Sequence, residues 1–393
     1  MFGYKAKNMV RHSSRILLSQ SALKNNINFL RKKLKPDTIF SAVVKANAYG
    51  HGIPQMTQML EKCGVKHFSV ASAFEAEEVL NHCSPTSSIM IMGILYDEDI
   101  SWAIEHGIEF FVFDLKRLPM IAEKAKTLGK KALIHIELET GTNRTGMTVE
   151  HLPDAISFLK KNKAHLDLAG VCTHLGGAES LANEFKIKPQ IDRFLQATKI
   201  FDQKGMPPKK KHMACSAAAL AYPETHLDMV RFGVVTYGFW PSPDVFFLHR
   251  QENGNGKNNP LKRIITWKTE VMDIKEVKEG QFIGYGTAFQ AQRNMHIAVL
   301  PLGYSNGYPR ALSNRGFVLL GGKKAPIVGL INMNLFMVDI SHIKGVEIGD
   351  EVVLLGKQKN NVINVSSFTN FTQLLNNEML SRLPAAIPRE IVR

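Results

Sequence analysis

Eight short apolar runs punctuate the first roughly 240 residues, at 39–44, 67–71, 88–92, 109–113, 132–138, 168–174, 212–215 and 229–234. Each is short, rich in branched or aromatic side chains, and bounded by glycine or polar residues, the pattern of a buried strand. Amphipathic stretches with helical spacing separate them. One is 21–33, where Ser21 stands as N-cap ahead of Leu23, Ile27, Phe29 and Leu30; another is 73–81. Strands alternating with helices predict parallel βαβ units, and eight units in this length fit a closed (β/α)8 barrel of the TIM type. The alternative is an open doubly wound sheet. It is weakened because no Gly-x-Gly-x-x-Gly loop follows the first strand.

Past the polar, turn-rich stretch 251–260 the pattern changes. Short apolar runs at 264–274, 295–300, 316–320, 325–331, 335–340 and 351–355 are separated by turns such as Gly321-Gly322, and one strong helical segment spans 365–375. An all-β second domain is expected. The boundaries read as a barrel domain over 15–250 and a β-rich domain over 251–393. Residues 15–18 form a strand-like piece at the head of the barrel segment.

Composition narrows the function. The chain has 393 residues, 45% hydrophobic and 21% charged, which is globular. No run approaches the roughly 18 apolar residues of a membrane span, and residues 1–15 show no secretory signal. Four single cysteines without metal-type spacing fit a reducing compartment, and no metal site is expected. The formal net charge of +14 raises nucleic acid as a partner. The lysines, however, fall in scattered clusters (Arg31-Lys32-Lys33, Lys160-Lys161, Lys209-Lys210-Lys211) without interleaved aromatics for base stacking, which speaks against it.

Lys45 follows the apolar run 39–44 directly and precedes a turn built on Gly50 and Gly52. A lone lysine there ordinarily snorkels off the strand end. A desolvated one has a lowered pKa, and its free amine attacks carbonyls. The surrounding residues favour the second reading. Ala42-Val43-Val44-Lys45-Ala46-Asn47-Ala48-Tyr49-Gly50-His51-Gly52 closely resembles the cofactor-attachment motif of the alanine racemases, a family dependent on pyridoxal 5'-phosphate. The resemblance runs from about residue 14 to 389, with several motifs in the family's order.

It implies that Lys45 carries the cofactor and serves as one catalytic base, and that Tyr49 contacts the phosphate. Arg231, in Asp228-Met229-Val230-Arg231-Phe232-Gly233, resembles the arginine at the pyridine nitrogen. An arginine cannot protonate that ring, which leaves it a weaker electron sink. Ser216, Gly233 and Val234 resemble the phosphate cup, although Ser216 also reads as a plain N-cap. His174 resembles the histidine beneath the ring, or is a satisfied core histidine. Tyr285 resembles the second base, contributed across a homodimer with shared sites. A phenol takes that role where cations stabilise the phenolate. Arg144, Tyr304 and Met333 resemble substrate-binding residues, and residues 1–14 pack on the β domain.

Three departures stand out. Glu137 occupies the place of a family lysine that is often carbamylated, and is expected to hold the guanidinium of Arg144; nearby, Glu139 replaces the usual aspartate. Asn334 replaces an aspartate after Met333. Ala385 and Ala386 stand where a phosphate-touching tyrosine and an arginine are usual, which opens the substrate range. The implied activity is racemisation of alanine in the cytoplasm for peptidoglycan precursors, on a small-molecule amino acid and with no membrane or nucleic-acid partner. The rivals are a broad-specificity amino-acid racemase, a barrel-type decarboxylase and a non-catalytic cofactor-binding protein.

Overall fold

The computed structural model describes residues 11–252, 259–372 and 375–393. β1 (Arg15–Ser19) is followed by β2 (Ile39–Val43), β3 (His67–Val70), β4 (Ser88–Ile91), β5 (Glu109–Val112), β6 (Ala132–Glu137), β7 (Leu166–Cys172), β8 (Lys211–His212) and β9 (Met229–Phe232). All eight barrel runs therefore form strands. Their order is β8-β7-β6-β5-β4-β3-β2-β9, with every neighbouring pair parallel. The two ends of that order meet. Asp228 N donates to Lys211 O at 3.1 Å, Arg231 N donates to Ala214 O at 3.1 Å, and Cys215 bridges Arg231 in parallel. These bonds close the sheet and discard the open alternative.

The strands read as continuous apolar runs because both faces are covered. β3, β5 and β9 are buried at every residue. Met90, Phe111, Cys172 and Met229 pack together as one cluster of the core. Helix Gln20–Arg31 buries Ala22, Leu23, Asn26, Ile27 and Leu30, the three-to-four spacing of one helical face. Its buried Asn26 is satisfied, since it donates to Thr236 O and Lys262 O and accepts from Lys262 N.

The remaining strands are β10 (Ile265–Glu270), β11 (Asp273–Val277), β12 (Met295–Leu300), β13 (Phe317–Leu320), β14 (Lys323–Val328), β15 (Phe336–Asp339), β16 (Glu351–Gln358), β17 (Asn361–Ile363) and β18 (Arg389–Val392). They form a sheet in the order β11-β12-β15-β14-β13-β16-β10-β1-β18, with β17 on β16. β1 pairs antiparallel with β10 and parallel with β18. Arg15–Ser19 thus belongs to this sheet, although it leads the barrel segment in sequence. The run 264–274 is two strands. At Val271 and Met272 the backbone bonds switch to Asp350 O and Val299 O, so the chain changes partners there. β17 and β18 were not anticipated, because short or exposed strands carry no apolar alternation. In the 365–375 segment the helix spans Ser366–Thr372, and residues 373–374 lie outside the described ones, as do 1–10 and 253–258.

The chain divides into two compact units: Ser21–Ala48 with Met56–Arg263, and Met1–Gln20 with Tyr49–Gln55 and Ile264–Arg393. The Lys209–Lys211 cluster is spent on acids within the first unit. Lys209 pairs with Asp167, Lys210 with Glu109 and Lys211 with Asp202. Among the described residues no helix is long and apolar enough to cross a membrane.

Candidate active site

β2 ends at Val43, one residue earlier than the apolar run suggests, and Val44 N still donates to Ser69 O. Lys45 then opens a left-handed turn. Ala46, Asn47, Ala48 and Tyr49 have φ of 54°, 51°, 53° and 52°. Left-handed backbone costs an L-residue roughly 1–2 kcal/mol, so four in a row persist only where neighbours hold them. The Tyr237 hydroxyl donates to Val43 O at 2.8 Å, Ala48 N donates to Val44 O, and the Glu75 carboxylate accepts from Ala46 N at 2.6 Å. Gly50 at the end of the turn has φ 79°, and a Cβ there would sit 1.9 Å from Leu380 O, so only glycine fits. Lys45 is exposed at the barrel end, yet much of its surroundings is protein. That desolvation lowers its pKa first. Arg144 adds to the effect, Glu75 opposes it, and Arg231 lowers it further.

Arg231 lies within β9 and is 5% exposed. Its Nη2 donates to Thr173 O at 2.7 Å and to Met213 O at 3.3 Å, and its Nη1 meets His212 Nδ1 in a short hydrogen bond. From there a polar chain crosses the barrel. His212 Nε2 lies 2.9 Å from His135 Nδ1, and His135 Nε2 lies 2.7 Å from Glu109 Oε2. A guanidinium only donates, which fixes both tautomers. His212 accepts at Nδ1 and donates from Nε2; His135 accepts at Nδ1 and donates from Nε2 to Glu109. Burial lowers the pKa of both histidines, and Arg231 lowers His212 further, so both are neutral as the chain requires. Burial alone would raise the Glu109 carboxyl. The hydrogen bond from His135 outweighs it, with His67 Nε2 close by at 3.5 Å, and holds the group far below the carboxylate range; Lys210 pairs with its other oxygen at 2.5 Å.

Around Lys45 and Arg231 the barrel end is cationic. Burial, then Arg231, Arg144 and Lys45, lower half-buried His174 to about 3, so it is neutral. Buried Ser216 begins helix Ser216–Ala221, and its Oγ accepts from Gly233 N at 2.8 Å. The hydroxyl proton of Ser216 therefore remains for another acceptor. Arg144 is exposed, in the loop after β6, and its backbone N donates to the Glu139 carboxylate at 3.4 Å.

Glu137 does not hold Arg144 as expected. Among the described residues no ion pair joins them. Glu137 Oε2 is buried without a partner, burial raises its pKa, and its hydrogen bond is to Thr145. The glutamate is 4% exposed and lines a small recess that Arg144 also lines, without pairing with it.

Tyr285, Tyr304 and Met333 lie in the sheet unit. With Arg310, Leu330 and Asn332 they line a recess of about 420 Å³. Tyr285 is 73% exposed, on a turn with Gly284 at φ 75° and Gly286 at φ 70°, closed by Ile283 N donating to Phe289 O. The stem is fixed by a core of Ile283, Ala291, Met295, Ile297, Val328 and Met337. Met333 O accepts from Ser305 N and Oγ, and Asn334 Nδ2 donates to Ser305 Oγ. In the same unit Arg389 donates to Gly50 O and to Ala385 O, which anchors the C-terminal loop.

Sequence reading missed His212, His135, Glu109 and Glu75. The first three left one signal, ionisable residues inside apolar strand runs. Glu75 left another, the Ser72-x-x-Glu75 spacing of a helix start.

An amine kept nucleophilic among cations at the end of a closed barrel is the mark of β/α-barrel enzymes that work through a lysine and an anionic carbonyl cofactor. Comparison with known proteins narrows that class. Residues 18–241 match the N-terminal domain of alanine racemases and residues 264–391 the C-terminal domain, and the chain belongs to the alanine racemase family of pyridoxal-phosphate-dependent isomerases. It is 32% identical over 381 residues to the alanine racemase of Leptospira interrogans, covering 97% of this chain and 96% of that one. The alanine racemase of D-cycloserine-producing Streptomyces lavendulae superposes with a TM-score of 0.86 at 27% identity, covering 98% of each chain. The fold is also that of the Bartonella henselae alanine racemase solved with covalently bound pyridoxal phosphate, with a TM-score of 0.80 at 24% identity, covering 97% of this chain and all of that one.

Proposed function

We propose that this chain interconverts L- and D-alanine with pyridoxal 5'-phosphate by a two-base exchange, as a cytoplasmic homodimer that feeds peptidoglycan precursors. The observation that carries the reading is the exposed Lys45, with its lowered pKa, set among Arg144, Arg231 and His174. The residues present fit the cofactor. Lys45 would hold its aldehyde carbon, Arg231 its ring nitrogen, and Ser216, Gly233, Val234 and Tyr49 its phosphate, with His174 beneath the ring. The free hydroxyl proton of Ser216 and the cationic surroundings both suit a phosphate anion. When bound, the cofactor supplies a carbonyl that captures the substrate amine and a ring that acidifies Cα.

The chain's own residues do the rest. Lys45 takes or returns a proton at Nζ on one face of Cα. Tyr285 of the partner subunit does so at Oη on the other. Arg144 and the recess at Met333 and Tyr304 bind the substrate carboxylate. Arg231, fixed by the Glu109-terminated chain, presents a donor that cannot give up its proton at working pH. That limits electron withdrawal to what a brief proton exchange needs and disfavours the decarboxylase.

Borohydride reduction and peptide mapping should label Lys45, and a racemisation panel should show alanine turned over fastest. A label on another lysine overturns the cofactor assignment. The exposed Ala385 favours a second reading, a broader substrate range. On that reading Ala385→Tyr loses the larger substrates first, by the roughly 1–3 kcal/mol that excess bulk in a pocket costs. Identical profiles in the two proteins reject it.

A further inference from the structure

We infer that Glu75 is a positioning residue for Lys45: its carboxylate clamps the left-handed turn that presents the amine and supplies an opposite charge to it. The inference rests on the reading that Lys45 holds the cofactor.

Ser72 caps helix Ala73–Leu80, and its side chain accepts from Glu75 N. Glu75 stands at the third helical position, where a capping-box glutamate reaches back to the N-cap backbone. Here the carboxylate goes elsewhere. Oε2 accepts from Ala71 N at 2.8 Å, and Oε1 accepts from Ala46 N at 2.6 Å. One side chain thereby ties the end of β3 to the residue after Lys45. Ala46 is the first of the left-handed residues, so the bond to its N–H holds the turn at its start.

The charge acts as well. The groups acting on Lys45 are Arg144 from the loop after β6, His174 after β7, Arg231 on β9 and Glu75 on the helix after β3. Three of the four are arginines or a neutral histidine, so Glu75 is the anion among them. It opposes the lowering of the amine's proton affinity, which suits a group that must both take and return a proton.

The test uses the full-length chain, stripped of carbonyl compounds by hydroxylamine dialysis. A brief pulse of acetic anhydride at each pH acetylates neutral amines, with acetate leaving, and mass spectrometry reads the Lys45 peptide. In the wild type Lys45 should react with a midpoint below that of surface lysines. Should it not, the reading of Lys45 itself fails, separately from the role of Glu75. In Glu75→Gln the midpoint should fall by about one pH unit, the low end for loss of a neighbouring opposite charge. In Glu75→Ala the Ala46 and Ala71 amides should also exchange hydrogen at least about 10-fold faster, as unclamped loop amides do. Ser72→Ala weakens the same helix start and should lower Tm without moving the Lys45 midpoint. In the loaded enzyme Glu75→Gln should lower kcat more than it changes KM. An unmoved midpoint in Glu75→Gln, or an equal shift in Ser72→Ala, overturns the proposal.

Discussion

The residues proposed for the site are held in opposite ways in the two units. In the barrel unit Lys45 and Arg231 are held by networks: a strained turn clamped by Glu75 and Tyr237, and a guanidinium tied through two buried histidines to Glu109. In the sheet unit Tyr285 projects from a glycine turn with 73% of its surface exposed. The barrel side needs fixed electrostatics, because it must lower one pKa and keep two imidazoles neutral. The sheet side needs only a firm stem, because an exposed phenol is completed by whatever covers it. That difference fits a site whose second base comes from another copy of the chain.

The largest effect that sharpens this contrast is at Lys45. Lys45→Ala should cut racemisation by about 10⁴-fold or more, the upper end for loss of a proton-transferring group that is also the attachment point. A chiral assay of both directions checks it, and a variant that retains a tenth of wild-type turnover would remove Lys45 from the chemistry. Tyr285→Phe comes next, with an expected loss of about 10²–10⁴-fold and unchanged Tm, since the exposed phenol holds no core contact. The loss should be unequal for solvent-deuterium incorporation from the two enantiomers. Mixing Lys45→Ala with Tyr285→Phe should restore activity by creating one intact site per mixed dimer. Confirmed heterodimers without activity would break the shared-site picture.

The third effect is on stability, and it separates the units. His135 and His212 are neutral in the fold, with pKa values lowered by burial. Unfolded, they titrate near 6.5. Below about pH 6.5 the unfolded chain binds more protons, so stability falls with acidification by about 1.4 kcal/mol per pH unit for each histidine. Glu109 has a depressed folded pKa, so its contribution is present above the ordinary carboxyl range, near 4.3, and is lost below it. Hydrogen exchange between pH 7 and 5 should show the barrel strands losing protection before the sheet unit does. Simultaneous loss in both units would contradict the assignment. The smallest effect is at Gly284→Ala. There φ is 75°, and a Cβ would lie 2.7 Å from Met337 Cε. Forcing an L-residue into that turn should cost about 1–2 kcal/mol and lower Tm slightly, with a few-fold loss of kcat as Tyr285 shifts. A silent Gly284→Ala would show that the turn's geometry does not position the phenol.

The sequence by itself determined the eight barrel strands and pointed to the lysine at the end of the first of them. Eight apolar runs at helical intervals leave few folds open, since each run must be buried on both faces and each connection must cross back to start a parallel neighbour. Lys45, Arg231 and Tyr285 were legible because their local motifs resemble a known family. Only the tertiary structure decided what surrounds them. His67, Glu109, His135 and His212 are far apart in sequence and meet because barrel closure brings β3, β5, β6 and β8 around one interior. Glu75 reads locally as a helix cap and acquires its second partner only where β3 runs beside β2. Glu137 failed its expected contact for the same reason, since the local fold, and not spacing from Arg144, turns its carboxylate to Thr145. Secondary structure follows short-range periodicity, whereas hydrogen-bond partners and desolvation depend on which distant segments share a volume.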